Sequence, residues 1–385
     1  MNSQSKSRRN FIKKSATIAG GIGFVSTHSF GTSPAIVQNA LPKWKGFNLL
    51  DFFSPSPANS RPQTREEYFK WMSDWGFDFV RIPMAYPSYL KIDHEKHITI
   101  RQVRKIDRKQ TDNVEQLVYL AHKYNLHTSL NLHRAPGFCV NAGFHEPYNL
   151  WEDENAQEDF NYHWKFWAKR FKNVSRDKIS FDLVNEPCTR EDMNDQYSKR
   201  NAVPGDIYRK VAQGAAETIR IQNPDHLIIA DGNNIGRSVI PEIMDLDIGQ
   251  SCRAYDPMII SHYKAPWVYK HSEKLPIPKW PGQVGAQYLS RELLNEMYKP
   301  WIELVEKGVG VHCGECGCWN NTPHDVFLSW FSDVLDILSS NGIGFALWEF
   351  RGSFGLIDSG RKDVKYEDWY GHKLDRKLLE LLIKV

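Results

Sequence analysis

A single (β/α)8 TIM barrel is the fold this sequence predicts, and three observations carry the prediction. Eight short apolar runs rich in β-branched residues alternate with segments of helical period. No linker or shift of composition interrupts the series, and 385 residues leave room for a barrel of roughly 250 residues plus insertions. Each run also carries a polar or aromatic residue at or close to its C-terminal end. A doubly wound open sheet is the structural alternative.

The runs fall at 45–50, 77–83, 127–133, 179–185, 226–231, 258–262, 309–314 and 344–349. Their hydrophobicity is continuous rather than alternating, as expected for strands covered on both faces. Helical period follows the first from Thr64 to Trp75, the second from Thr111 to Tyr124, the third from Ala156 to Phe171, and the fourth from Asp206 to Ile221 before Asn223-Pro224. After the fifth run, Arg237 to Met244 carries the weakest helical pattern. Tyr288 to Lys307 stops at Gly308, His324 to Ser340 stops at Asn341-Gly342, and Leu374 to Ile383 is the last. Asn and Gly just past a final turn accept the left-handed backbone that ends a helix. Long aromatic-rich connections follow run three (Arg134 to Asn155), run six (Lys264 to Gln287) and run eight (Arg351 to Gly371). Loops of this length in a compact barrel usually carry function.

With 41% hydrophobic and 25% charged residues the chain has the balance of a globular protein. A net charge of +3, with no long basic block beyond the N-terminus, argues against a nucleic-acid partner. Aromatics reach 13%, including 13 Trp. Many of these fill the core, but their flat faces also stack well on sugar rings.

Residues 1–40 have the pattern of a twin-arginine export signal and linker. Ser7-Arg8-Arg9-Asn10-Phe11-Ile12-Lys13-Lys14 precedes a mildly apolar stretch, Ala16 to Val25, too short to span a bilayer. Cleavage between Ser26 and Ala40 would leave residues 41–385 as an exported barrel, periplasmic or extracellular, with no membrane span. Six cysteines, at 139, 188, 252, 313, 316 and 318, are too few for a disulfide-built fold. His312, Cys313, Cys316 and Cys318 crowd together and invite a zinc reading. No second Cys-x-x-Cys closes such a site, so free thiols or one disulfide are expected there.

Read to their C-terminal ends, the eight runs give Asn48, Arg81, His133, Asn185 with Glu186, Asp231 with Asn233, His262, Glu315 and Trp348. Catalytic residues of these barrels gather at that rim. Glu186 ends Phe181-Asp182-Leu183-Val184-Asn185-Glu186 and Glu315 ends Val309-Gly310-Val311-His312-Cys313-Gly314-Glu315. Two carboxylates at strand ends suit glycoside hydrolysis, in which one donates a proton to the leaving oxygen and the other attacks or stabilises the anomeric centre. Arg81 is the cation expected beside Glu315, because its planar fork matches a carboxylate. The charge on Glu315, with partial burial, is then expected to raise the pKa of Glu186. Asn185 is placed for a sugar hydroxyl, His133 and His262 for orienting the acid and the sugar, and Trp348 for stacking. Each has a plainer structural reading as an ion-pair partner, core histidine, turn residue or packing residue.

Leu183-Val184-Asn185-Glu186-Pro187, Gly314-Glu315, Val80-Arg81-Ile82-Pro83 and Leu130-Asn131-Leu132-His133 resemble the cellulase-type glycoside hydrolase family 5, over roughly Lys45 to the C-terminus. The resemblance implies that Glu186 is the acid/base and Glu315 the nucleophile of a configuration-retaining enzyme, with carboxyl groups about 5–5.5 Å apart. Family members commonly carry His-x-Tyr after strand six, the tyrosine bonded to the nucleophile. Here the order is His262-Tyr263-Lys264, so Tyr263 would have to reach by a local shift or the hydroxyl would come from elsewhere. Arg81, His133, Asn185, His262, Tyr263 and Trp348 form the expected substrate-binding set. No cofactor is called for. The expected substrate is a β-linked polysaccharide or oligosaccharide, first a β-1,4-glucan, with mannan, xylan or exo action as alternatives. Two other classes stay open: a barrel that binds sugar without cleaving it, and a metal-dependent barrel hydrolase, which the lack of an early His-x-His disfavours.

Overall fold

The computed structural model describes residues 39–56, 64–144 and 146–385. The export-signal segment expected at the N-terminus lies outside the described residues, apart from Asn39 and Ala40. Eight parallel strands form the barrel: β1 (Lys45–Asn48), β2 (Phe79–Ala85), β3 (His127–Ala135), β4 (Ile179–Asp182), β5 (Leu227–Asp231), β6 (Gly249–Ala254), β7 (Val311–Cys316) and β8 (Gly344–Leu347). Each pairs with the next, and β8 returns to β1 through Lys45↔Phe345 and Phe47↔Leu347, so the sheet is closed and has no free edge. Every residue of β2, β3, β6 and β7 is buried, which is why these strands show little alternation.

The outer helices are α1 (Glu66–Asp74), α2 (Arg108–Lys123), α3 (Glu154–Arg170), α4 (Gly205–Gln222), α5 (Arg291–Glu306), α6 (His324–Ser340) and α7 (Arg376–Lys384). Asp107 and Asp375 cap α2 and α7, accepting from the backbone N–H of Lys109 and Leu378 at 2.9 and 3.1 Å. Such caps satisfy amides that the helix itself leaves unpaired. The large aromatics of α3 face the barrel. Trp164 and Trp167 are fully buried, and the Trp164 indole N–H donates to the carbonyl of Leu183 at 3.2 Å, fixing the chain where it leaves β4.

Two expectations fail. The sixth strand is Gly249–Ala254, not 258–262, which instead contains a single helical turn at Met258–Ser261. Gln250, Ser251 and Arg253 make the true strand look polar; Ser251 and Arg253 meet partners inside the barrel, and Gln250, on the other face, pairs with the backbone of Ile240. No regular helix follows β5 either. Residues Asn233–Gly236 form a turn with Asn234 and Ile235 at φ 51° and 60°, followed by a 3-10 turn at Pro241–Ile243. The other elements shift by a few residues, as when β7 runs to Cys316 and so includes Glu315.

The floor of the barrel is apolar and aromatic. Trp44 stacks on His127 with ring centroids 3.9 Å apart and on Phe79 at 5.3 Å, and Phe79 meets His312 at 4.6 Å. Burial pushes both His127 and His312 down to about 3, so they remain neutral members of this layer. Above it lies a layer of charge.

Candidate active site

Arg81 on β2 and Arg253 on β6 stand side by side in the upper barrel, buried to 1% and 7% exposure. Arg81 spends its whole fork inside the protein. Its Nε donates to Asp182 at 2.7 Å, its Nη1 to Glu315 at 2.7 Å and to the Asn48 side chain at 3.1 Å, and its Nη2 to Asn185 at 3.0 Å. Arg253 donates to both oxygens of Asp231, to Asn185 at 2.9 Å, to Glu315 at 3.2 Å and to Glu186 at 3.3 Å. One guanidinium therefore touches both glutamates, and the two carboxyl groups lie within reach of a single planar fork. Burying this many charges is tolerable only because each carboxylate of the layer meets at least one guanidinium.

Local backbone geometry aims the two glutamates. Glu186 has φ 49°, a left-handed conformation costly for a side chain with a Cβ, and its N–H donates to Asp231 at 2.9 Å. In β7 the register against β6 shifts between Cys313 and Glu315, which leaves Gly314 as the extra residue and sets Glu315 opposite Arg253. A bulge of this kind re-aims the next side chain. A Cβ on Gly314 would lie 2.5 Å from the Ser251 hydroxyl and 3.1 Å from the Arg253 guanidinium, so the close approach of that arginine requires glycine.

The glutamates face one cleft of about 630 Å³, a volume typical of a small-ligand site. Glu186 keeps 17% of its side chain exposed there, whereas Glu315 keeps 4%. Burial, and next the charge of Glu315, push the Glu186 carboxyl up to about 7, against the opposing pull of Arg253. His133, His262 and Trp348 also line the cleft. His133 stacks on Trp348 at 5.6 Å, and burial followed by the nearby Arg81 and Arg253 hold it well below the ordinary histidine value. Burial lowers His262 to about 3. Asn185 accepts from both arginines, while its Nδ2 is a buried donor without a partner among the described residues.

Three rim residues play supporting parts. Asn48 ties Arg81 to the Gly314 carbonyl, which its Nδ2 reaches at 3.0 Å. Asp231 sits beneath Glu186 as a brace. Asn233 turns away and clamps Val203, accepting from its N–H at 2.9 Å and donating to its carbonyl at 2.7 Å.

Tyr263 is not brought to the site. It is buried beside the Lys264 ammonium, 5.2 Å from its ring centroid, and is absent from the cleft lining. The hydroxyl on Glu315 comes from Tyr255, which donates to Oε2 at 3.1 Å. Arg253-Ala254-Tyr255 thus spans the end of β6, with Tyr255 just beyond it and arginine where the common pattern has histidine. Arg253 and Tyr255 are the residues the sequence reading missed. The Arg-x-Tyr spacing was visible, but it preceded the run assigned as strand six. Tyr255→Phe is expected to lower kcat/KM by roughly ten- to a hundredfold, the value of a hydrogen bond to a charged group, with Tyr263→Phe close to wild type in the same assay.

All six cysteines are free and buried. The thiols of Cys313, Cys316 and Cys318 turn to three separate carbonyls, those of Glu315, Ala346 and Ile260, at 3.3, 3.4 and 3.3 Å. Among the described residues no group of three His, Cys, Asp or Glu side chains is arranged to hold a metal ion.

A closed barrel presenting two carboxylates to one cleft at the C-terminal rim is the architecture of a glycosidase. The sequence model of the family described as cellulase (glycosyl hydrolase family 5) matches residues 35–353. Endoglucanase C of Acetivibrio thermocellus is 26% identical over 327 residues, 78% of this chain and 88% of that protein. Cellodextrinase A of Ruminococcus flavefaciens is 24% identical over 315 residues, 78% and 83% of the two chains. A crystal structure described as a glycoside hydrolase superposes with a TM-score of 0.79 at 35% identity, covering 89% of this chain and 99% of its own. Endoglucanase Cel5A from Thermotoga maritima, with a TM-score of 0.67 at 22% identity over 88% and 96% of the two chains, shares the fold. The chain belongs to glycosyl hydrolase family 5, and it is an O-glycosidase.

Proposed function

We propose that the protein cleaves β-1,4-glucan or its oligosaccharides by double displacement, with Glu315 as nucleophile and Glu186 as acid/base. The observation that carries this reading is the shared contact of Glu186 and Glu315 with Arg253 beneath one cleft, with the proton affinity of Glu186 raised. Glu315, held by Arg81, Arg253 and Tyr255, attacks the anomeric carbon while Glu186 protonates the departing oxygen. Formation of the ester cancels the charge on Glu315, which lowers the proton affinity of Glu186 and lets it take a proton from water in the second step. Asn185 is fully buried behind the cleft-lining Arg253, and the role assigned to its unpartnered Nδ2 is to meet the sugar 2-hydroxyl once substrate is seated, an interaction that strengthens in the transition state. His133 and His262 orient hydroxyl groups, and Trp348 is the stacking surface. These side chains supply nucleophile, acid and base, so the scheme calls on no cofactor.

The glucan assignment draws on relatives named endoglucanase and cellodextrinase. A second reading, action at chain ends, is favoured by one feature. Residues 196 and 197, in the loop after β4, reach across to the loop after β6, where the Tyr197 hydroxyl donates to the carbonyl of Pro266 and Gln196 to that of Trp267 at 3.4 Å. Such a bridge walls one side of the cleft. Proton NMR of the first turnovers, with cellulose, mannan and xylan oligosaccharides compared and products sized, tests both points. The β-anomer is expected to form first. Initial appearance of the α-anomer would overturn double displacement.

Export through the twin-arginine route is proposed from Arg8-Arg9 and the mild apolar stretch after them. Among the described residues no helix is long and apolar enough to cross a membrane.

A further inference from the structure

We infer that the leaving-group side of the cleft, besides admitting the neutral sugar of a glucan, prefers a sugar bearing a carboxylate, a hexuronic acid residue, and that Arg200 is the selecting group. The inference rests on the glycosidase reading of Glu186 and Glu315. The acid marks the leaving-group side, because it must reach the departing oxygen. From Glu186 the chain passes through Pro187 and Cys188 directly into a small antiparallel hairpin, Thr189–Arg190 against Arg200–Asn201, in which Arg190 faces Arg200. The hairpin therefore covers the acid's side, and Arg200 lines the cleft.

Three arginines line that cleft, and they differ in how their charge is met. Arg253 is held by Asp231 and the two glutamates. Arg237 forks onto Asp256 at 2.7 and 3.1 Å. Arg200 has no carboxylate partner among the described residues. Its Nη2 reaches the Gln196 carbonyl at 3.4 Å, and its Nε is buried with no acceptor. The facing Arg190 adds to the excess, since it donates to the carbonyls of Val140, Asp195 and Gln196 and to no carboxylate among the described residues. Like charges directly opposed across two strands are unfavourable. A ligand carboxylate accepting from the Arg200 guanidinium would offset that repulsion. Asn141, from the loop after β3, lines the cleft as well and offers an amide to neighbouring hydroxyls.

The test uses transfer from the glycosyl-enzyme, because an acceptor must occupy the leaving-group side. The acceptor hydroxyl attacks the anomeric carbon, the ester bond to Glu315 breaks, and the hydroxyl proton passes to Glu186. The full-length enzyme is given an aryl β-glycoside, chosen from glucoside, cellobioside, mannobioside and xylobioside by phenol release, and then methyl β-glucuronide or methyl β-glucoside at equal concentration. The glucuronide is expected to be captured about tenfold more often at low salt. The preference should shrink as salt is raised, vanish in Arg200→Met and persist in part in Arg200→Lys. Equal capture by wild type, or a preference that Arg200→Met leaves intact, overturns the inference while phenol release keeps the glycosidase reading standing. Absence of phenol release across all four donors overturns both.

Discussion

Glu315→Ala is expected to lower turnover of an activated aryl glycoside by at least ~10⁴-fold, the scale on which removal of a catalytic nucleophile is felt. Added azide should then restore cleavage, because the cavity left by the carboxylate admits a small anion on the same face of the sugar. The product would be the α-glycosyl azide. Glu186→Ala is expected to behave in the opposite sense. An activated phenol leaves without help, the ester on Glu315 accumulates, and azide releases it as the β-glycosyl azide. Loss of general acid/base assistance alone accounts for about 10²- to 10⁴-fold. Undiminished turnover in either variant, or the same azide anomer from both, would remove the assignment of roles. The acid limb of the mechanism also has a pH signature. With Glu186 pushed up to about 7, kcat/KM should fall as pH rises through that value, where the donor loses its proton. Neutralising its neighbour in Glu315→Gln removes the second-largest cause of the shift, so the Glu186 carboxyl, followed by NMR titration, should move downward.

Arg81→Met is expected to destabilise the fold by about 3–5 kcal/mol, the cost of breaking a fully buried ion pair by removing one partner. The side chain is 1% exposed and holds Asp182, Asn48, Asn185 and Glu315 at once. Methionine fills similar volume but leaves Asp182 without its hydrogen-bonded cation. Burial, then the nearby Asp231, already raises the Asp182 carboxyl, and Arg81 is the largest influence opposing that rise. A raised carboxyl favours the folded state at pH below its unfolded value and loses that contribution as pH climbs through the folded value. Removing Arg81 moves the folded value higher still, so the deficit should grow from acid toward neutral pH. Urea midpoints at several pH values read this directly, with an unchanged m-value showing that the same surface unfolds. A deficit under 1 kcal/mol at neutral pH would show that Arg81 is not the keystone of the charged layer.

Arg253 explains why part of the site was hidden. Strand prediction weighs apolarity, and Gly249-Gln250-Ser251-Cys252-Arg253-Ala254 has little of it. Met258-Ile259-Ile260 has more, yet that turn packs against α6 instead of joining the barrel. With the strand placed at 258–262, His262 stands at its end and Tyr263 becomes the candidate for the family's tyrosine, so Arg253 and Tyr255 do not stand out. His262 still lines the cleft because the loop folds back through Ser261, whose hydroxyl meets the Tyr255 carbonyl and the His262 ring. Tyr263, one residue on, is buried away from it.

The sequence by itself determined the barrel, seven of its eight strands and the two glutamates at strand ends, because continuous apolar runs, helix stops and the Asn-Glu-Pro and Gly-Glu segments are local properties of the chain. Only the tertiary structure decided which cation binds which carboxylate. The pairing of Glu315 with Arg253 depends on a one-residue register shift at Gly314, and the link between Glu186 and Arg253 joins residues 67 apart in sequence. Contacts of this kind arise when a sheet closes on itself, and a linear pattern does not encode that distance.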